Sequence, residues 1–452
     1  KSVDNITKTS ADIDAVNGRL STISSAINFF QSTKDSNGKV PSFYITNPVS
    51  TLKVLPENGE IGPAAKTLYL AMMKNEFEPI QIAVCASNED LKNVKVISSS
   101  LIGPDGKQIP VDRINVTPMA FVNCKISTQG SVLKGRIPDV LMPNKPVNVP
   151  KMNRQPFFIT VHSLASDLPG TYTGTITVSA DGTGTIELPV KVRIYDATLP
   201  VKSSLHTVFL QGWGYRNFLD GVSEKQAMMN YSKAFLEHRL TSNLWNGTNV
   251  EPVKRADGTW DCSAMEEYLN ELVPLGLTTY RVSNTPEVIK AEADYLKQHG
   301  LWDLQYLYGW DEASPDVAAQ LQQQYKSYLE AVPDVKVMQT GWNPNPKLQG
   351  LIKVWCPLTA TANMDVVRQA QKAGDEVWWY VCCGPTAPYA NLFVDYMGID
   401  HRMLGWQTFQ YGITGFLYWG LDVWHYAHND LPLDDYINAD YANWNPASFD
   451  SF

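Results

Sequence analysis

YLYGWDEASPD, Tyr306 to Asp316, is the stretch on which the reading of this chain turns. An apolar, aromatic run ends in two adjacent acids, Asp311 and Glu312. Ser314-Pro315-Asp316 follows, an N-cap residue and a proline at the first helical position. A buried strand therefore hands over to a helix at the acids. The same rhythm recurs from residue 205 to 421. Strand-like runs occur at Leu205–Gln211, Ser242–Trp245, Thr278–Val282, Leu304–Trp310, Val335–Thr340, Lys353–Pro357, Glu376–Cys383 and Gly415–Leu421. Helical patterns separate most of them, and Ser223–Gln226 and Ser263–Glu266 read as capping boxes. Eight strands alternating with helices predict a (β/α)8 barrel over 201–452. A doubly wound open sheet is the alternative, but no glycine-rich phosphate loop follows any strand. No helix pattern separates the fifth and sixth runs, and the polar run to Phe452 gives none for the last helix.

Upstream, the period changes. Residues 36–200 carry short alternating segments punctuated by Gly, Pro and Asp. The clearest is LPGTYTGTITVSADGTGTIELPVKVRIYD, with a turn at Pro169-Gly170 and a hairpin signal at Asp181-Gly182. The expectation is an antiparallel β-sandwich, joined to the barrel by ATLPVKSS. Residues 1–35 form a third segment, in which Ile6, Ile13, Leu20 and Ile27 repeat every seven. That helical stripe either docks on its own chain or joins protomers into an oligomer.

Composition narrows the function classes. The 452 residues include 44% hydrophobic, 11% aromatic and only 18% charged residues, with a net charge of -9. An acidic chain is a poor nucleic-acid binder. No run is long and apolar enough for a transmembrane segment. The first residue is Lys1 rather than Met, which fits a processed start, so an exported protein, periplasmic, cell-surface or secreted, is expected. The six cysteines show no zinc or redox spacing. Cys382 and Cys383 read as buried thiols, with a strained vicinal disulfide as the lesser reading. His425 and His428 lie near Asp430 without helical context, so no metal site is expected.

In a barrel, the site lies where strands end. Asp311 and Glu312 are there, but successive strand residues face opposite ways. Both can address one ligand only if the backbone leaves strand geometry near Trp310. Trp310, Trp342, Trp355, Trp378, Trp379, Trp406, Trp419 and Trp424 cluster near strand ends; some are core, and a few could stack on sugar rings. Two carboxylates in an aromatic cleft point to glycoside hydrolysis. Adjacent acids suit substrate assistance, in which the sugar's 2-acetamido oxygen attacks the anomeric carbon. One carboxylate steadies the acetamido group while its neighbour protonates the leaving oxygen. Tyr380 and Tyr418 are candidates to bond the acetamido oxygen, Trp310, Trp342, Trp419 and Trp424 to line the sugar subsite, and Asp422 to bind a hydroxyl.

The stretches NEFEPIQIAV, GRIPDVLMP, LPGTYTGTITV, YLYGWDEAS and the long run from DEVWWYVCCGPTAPY to FLYWGLDVW resemble glycoside hydrolase family 123, the β-N-acetylgalactosaminidases, over most of residues 40–430. The resemblance implies a sandwich followed by a catalytic barrel. It also implies a stabilising Asp311, an acid/base Glu312, and no metal or organic cofactor. Where the family motif continues with Pro, this chain has Ala313. The expected activity is a retaining exo-β-N-acetylhexosaminidase, with galactosamine preferred, acting on a glycan or glycoconjugate with a terminal N-acetylhexosamine. Two alternatives stand beside it: a two-carboxylate retaining glycosidase for another sugar, and a non-catalytic glycan-binding protein on the same scaffold.

Overall fold

The computed structural model describes residues 41–57, 62–124, 128–131, 133–211, 221–244 and 250–420. The heptad stripe of residues 1–35, Asp422, Trp424 and the position of an eighth barrel helix lie outside them. The chain divides into two compact units. The first holds the described residues within 41–124 and 134–199, and the second those within 128–133 and 200–420. The short segment 128–133 thus groups with the barrel residues although its chain neighbours are sandwich strands.

The first unit is two β-sheets. One orders Phe43–Thr46, Phe77–Ala86, Arg154–His162, Ile114–Cys124 and Gly135–Leu141, all antiparallel. The other orders Leu68–Lys74, Gly184–Thr198, Gly170–Ala180, Leu91–Ser98 and Val147–Val149. Its pairing of Leu68–Lys74 with Gly184–Thr198 is parallel. Inward side chains of both sheets, such as Ile82 and Phe157 from one and Val178 and Val192 from the other, form a single core. The Asp181-Gly182 turn closes the hairpin as its sequence requires, with Gly182 at φ +72°.

The second unit is an eight-stranded parallel barrel with helices around it. Its strands, one to eight in chain order, are His206–Gln211, Ser242–Leu244, Tyr280–Val282, Gln305–Tyr308, Val337–Thr340, Val354–Cys356, Glu376–Val381 and Gly415–Tyr418. Helices Glu224–Glu237, Ser263–Leu272, Pro286–Gln298 and Ala318–Ala331 follow strands one to four. Only the 3-10 turn Pro346–Leu348 follows strand five, and Met364–Lys372 and Gly398–Gln410 follow strands six and seven. Ser223 Oγ accepts from Gln226 N at 3.2 Å, as its capping box requires. Ser263, by contrast, is itself the first helical residue, and the Asp261 carboxylate accepts its N–H.

The ladder runs two, one, eight, seven, six, five, four, three. Among the described residues no strand pairing joins two and three. Buried threonines tie the beginnings of strands one, two and three together around that seam. Thr241 N donates to Thr207 Oγ1 at 2.7 Å, Thr278 N donates to Thr241 Oγ1 at 3.1 Å, and Thr279 Oγ1 donates to the Thr207 carbonyl at 2.7 Å. Hydroxyls thus replace ladder bonds where the backbones diverge, so buried polar groups stay paired.

Strand alternation sorts the barrel side chains into two layers. Tyr306, Tyr308, Met338, Val354, Cys356, Trp378, Tyr380 and Leu417 fill the interior. Leu307, Val337, Trp355, Trp379, Val381, Phe416 and Tyr418 face the helices.

Candidate active site

Strand four ends at Tyr308, and Gly309 then packs where no side chain fits. A Cβ there would lie 2.5 Å from the Met338 carbonyl oxygen and from the Tyr325 hydroxyl. The turn after it is pinned from below. Tyr325, on helix Ala318–Ala331, accepts from Trp310 N at 3.0 Å and donates to Gln339 Oε1. Gln339 Nε2 returns a bond to the Trp310 carbonyl at 2.8 Å. Both side chains are fully buried, so the turn rests on a rigid base.

Glu312 then adopts φ +42°, in the left-handed region. That conformation costs a non-glycine residue roughly 1–2 kcal/mol and marks a site where geometry outweighs stability. It breaks strand alternation at the point the sequence demanded. Gly341, at φ +76°, makes room: a Cβ there would lie 3.2 Å from Glu312 Cα.

One side chain ties the two acids together. Thr340 Oγ1, at the end of strand five, accepts from Glu312 N at 3.0 Å and donates to Asp311 Oδ1 at 2.9 Å. Tyr308 donates to the same Asp311 Oδ1 at 2.7 Å. Two hydroxyls thus hold one oxygen of Asp311. Tyr380, from strand seven, donates to Glu312 Oε1. Both acids are exposed, whereas Tyr308, Thr340 and Tyr380 are buried. Burial first, and then the neighbouring Asp311, holds the Tyr308 hydroxyl well above its ordinary value. Burial first, and then Glu312, does the same for Tyr380. Both phenols therefore stay neutral donors at physiological pH. Arg281 sits 4.8 Å from the Tyr308 ring centroid. The arrangement offers two exposed carboxylates on one rim, each oriented by neutral hydroxyls whose other faces are in the core. It suits acid–base work at a bond lying over the rim.

The other sequence-predicted site residues divide. Trp310 is 47% exposed beside the acids, open for stacking. Trp342 is buried, and its indole N–H donates to the Ala313 carbonyl at 2.5 Å, so it props the turn instead of offering a platform. Tyr418 is a correction. It lies on the outer face of strand eight, its ring 5.9 Å from that of Phe209 and tilted, because Tyr380 and Leu417 occupy the inward register. Trp419 is half-buried against the helix-facing core. Asp422 and Trp424 lie outside the described residues. Trp406, noted among the clustered tryptophans, stands 66% exposed on helix Gly398–Gln410. Tyr308, Thr340, Tyr325 and Gln339 were missed. For two of them a signal was available: Gln339 and Thr340 are polar residues in an apolar run. Among the described residues, no group of three or more His, Cys, Asp or Glu side chains is disposed to hold a metal.

Comparison with known proteins adds a second line. Residues 265–452 match the family model described as the glycoside hydrolase 123 catalytic domain, a span that contains both acids. Among solved structures, the chain is similar to a family 123 glycoside hydrolase from Clostridium perfringens. The TM-score is 0.60 at 13% identity, covering 84% of this chain and 78% of that one, so the likeness is one of fold. It is also similar to a family 39 glycoside hydrolase from the gut symbiont Bacteroides cellulosilyticus WH2. There the TM-score is 0.32 at 10% identity, covering 78% of this chain and 74% of that one, too distant to carry an argument. No curated protein matches the sequence.

Proposed function

We propose that this chain, whose residues 265–452 match the glycoside hydrolase 123 catalytic-domain model, is a retaining exo-β-N-acetylhexosaminidase preferring N-acetylgalactosamine. The observation that carries the reading is the adjacency of Asp311 and Glu312 on one rim, tied through Thr340. Ordinary two-carboxylate glycosidases need acids on opposite sides of the scissile bond. Neighbours on one rim suit a substrate that supplies its own nucleophile. In this mechanism Asp311 Oδ1 is held by Tyr308 and Thr340, leaving Oδ2 for the acetamido N–H. The acetamido oxygen attacks the anomeric carbon, and Asp311 stabilises the positive charge that develops on the acetamido nitrogen. Glu312, oriented by Tyr380, gives a proton to the leaving oxygen. It then takes one from the water that opens the oxazolinium ring, restoring the configuration. Trp310 offers a face for the sugar.

The Clostridium perfringens protein is described as acting in glycolipid glycan hydrolysis, so glycolipid glycans join the candidate substrates. Such glycans are met outside the cytoplasm, and export is part of the proposal. A screen of nitrophenyl β-N-acetylgalactosaminide, β-N-acetylglucosaminide and plain β-galactoside tests it. Turnover of the first above the second, with the third nearly inert, is expected. Turnover of the plain galactoside at a comparable rate would remove substrate assistance, and no turnover of any would remove the enzymatic reading.

A further inference from the structure

Cys382 and Cys383 follow strand seven directly, two and three residues beyond Tyr380. They were expected to be buried, but Cys383 is exposed and Cys382 only half-buried. Their sulfurs face each other at 4.0 Å. Cys382 also packs against the barrel interior that contains Tyr380. Its carbonyl accepts from the buried Asn391 Nδ2 at 3.0 Å, and its N–H donates to the Gly384 carbonyl at 2.7 Å. The pair is therefore held in a fixed bend with both thiols turned to the same side, one open to solvent and one toward the acid site.

We propose that Cys382 and Cys383 are a reversible thiol-modification site at the rim of the acid pair, closed to a vicinal disulfide by low-molecular-weight disulfides. The exposed Cys383 thiolate attacks the small disulfide, forming a mixed disulfide and releasing one thiolate. Cys382 gives its proton to solvent, attacks the Cys383 sulfur and expels the second thiolate. The protein loses two protons and two electrons, and the small disulfide becomes two thiols. A bond of about 2.05 Å requires the sulfurs to approach by about 2 Å, within reach of side-chain rotation and a small twist of the shared peptide. Adjacent Cα atoms are about 3.8 Å apart, below the usual span of about 4.4–6.8 Å, so the closed form is strained and easily reduced. Strained, accessible disulfides are the labile and regulatory ones. Burial pushes the Cys382 thiol up to about 12, with Cys383 and Glu312 adding to the effect, which makes Cys382 the second thiol to react and not the first. Closure twists the peptide that Asn391 holds and disturbs the strand end that aims Tyr380 at Glu312.

The test treats the reduced full chain with glutathione disulfide and reads intact mass, followed by peptide mapping. This reading is independent of sugar chemistry. The expected product is a glutathione-free species lighter by two hydrogens, mapped to Cys382–Cys383 and reversed by dithiothreitol. Cys382→Ser should stop at a stable glutathione adduct on Cys383, and Cys383→Ser should gain neither product. Wild type that stays unmodified, or that keeps glutathione on Cys383, overturns the proposal. Turnover of the nitrophenyl sugar should fall in step with the oxidised fraction and return on reduction, while Cys383→Ser keeps full turnover throughout. A quantitatively closed disulfide with unchanged turnover would overturn the link to the acid pair.

Discussion

Thr340→Val removes the one hydroxyl shared by both acids while nearly conserving volume. Thr340 is buried, so the valine methyl meets packed surroundings and no water replaces the lost donor. Asp311 loses the 2.9 Å bond and keeps the 2.7 Å bond from Tyr308. A hydrogen bond to a charged group is worth about 1.5–3 kcal/mol. Expressed in the transition state, that is about ten- to hundredfold in rate. The surviving Tyr308 bond places the expected loss toward the lower end. Glu312 N also loses its acceptor. Because Asp311 acts on charge that develops only at the transition state, kcat and kcat/KM should fall together with KM little changed. Steady-state kinetics on nitrophenyl β-N-acetylgalactosaminide read this directly, with a melting curve to confirm the fold. Thr340→Ser, which keeps the hydroxyl, should recover most of the rate. Wild-type kcat in Thr340→Val, or an equal loss in Thr340→Ser, would refute the claim that this hydroxyl orients Asp311.

Three further outcomes are expected. Glu312→Gln should lose about 10²–10⁴-fold on substrates with poor leaving groups and far less on activated phenolates, measured by comparing natural and nitrophenyl glycosides. Asp311→Asn should lower kcat while a thiazoline mimic of the oxazolinium ring binds more weakly; unchanged thiazoline affinity in calorimetry would argue that Asp311 does not face the acetamido group. Glu292, buried inside helix Pro286–Gln298 and accepting from Ser283 N, is pushed up from 4.5 to about 8, chiefly by burial. The folded state holds this proton more tightly than the unfolded chain, so its contribution to stability is full below about pH 4.5 and declines as pH rises toward 8. Urea midpoints across that window should fall in wild type and flatten in Glu292→Gln, if the buried carboxyl is the source.

The barrel was legible because parallel strands covered on both faces read as continuous apolar runs. All eight runs hold a strand, and the observed ends fall within them. Sandwich strands were legible by alternation and by turns such as Asp181-Gly182. The seam between strands two and three was not. Its threonines 207, 241, 278 and 279 are scattered in sequence and meet only once the barrel closes. The acids were legible from position: an apolar run ends, a helix starts, and two carboxylates stand between. What supports them was legible only in part: Gln339 and Thr340 stand out as polar residues in an apolar run, but Tyr325 reaches the turn from a helix and nothing local points it there.

The tyrosine assignments show how much a single anchor would have added. Tyr380 and Tyr418 both sit near strand ends, and nothing local separates them. Parity does. Within Glu376–Val381, Trp378 and Tyr380 point inward and Trp379 outward. Register pairs Tyr380 with Leu417 and Val381 with Tyr418, so an inward Tyr380 forces Tyr418 out. The same alternation puts Tyr306 and Tyr308 inside and leaves Leu307 among the helices. Asp311 and Glu312 escape that constraint only because the chain leaves strand geometry between Gly309 and Gly341's contact with Glu312. Substituting Gly341 by Ala would close that escape, since its positive φ and the 3.2 Å approach both penalise a side chain. Loss of activity exceeding loss of stability in that variant would place the strain at the acids and not in the core.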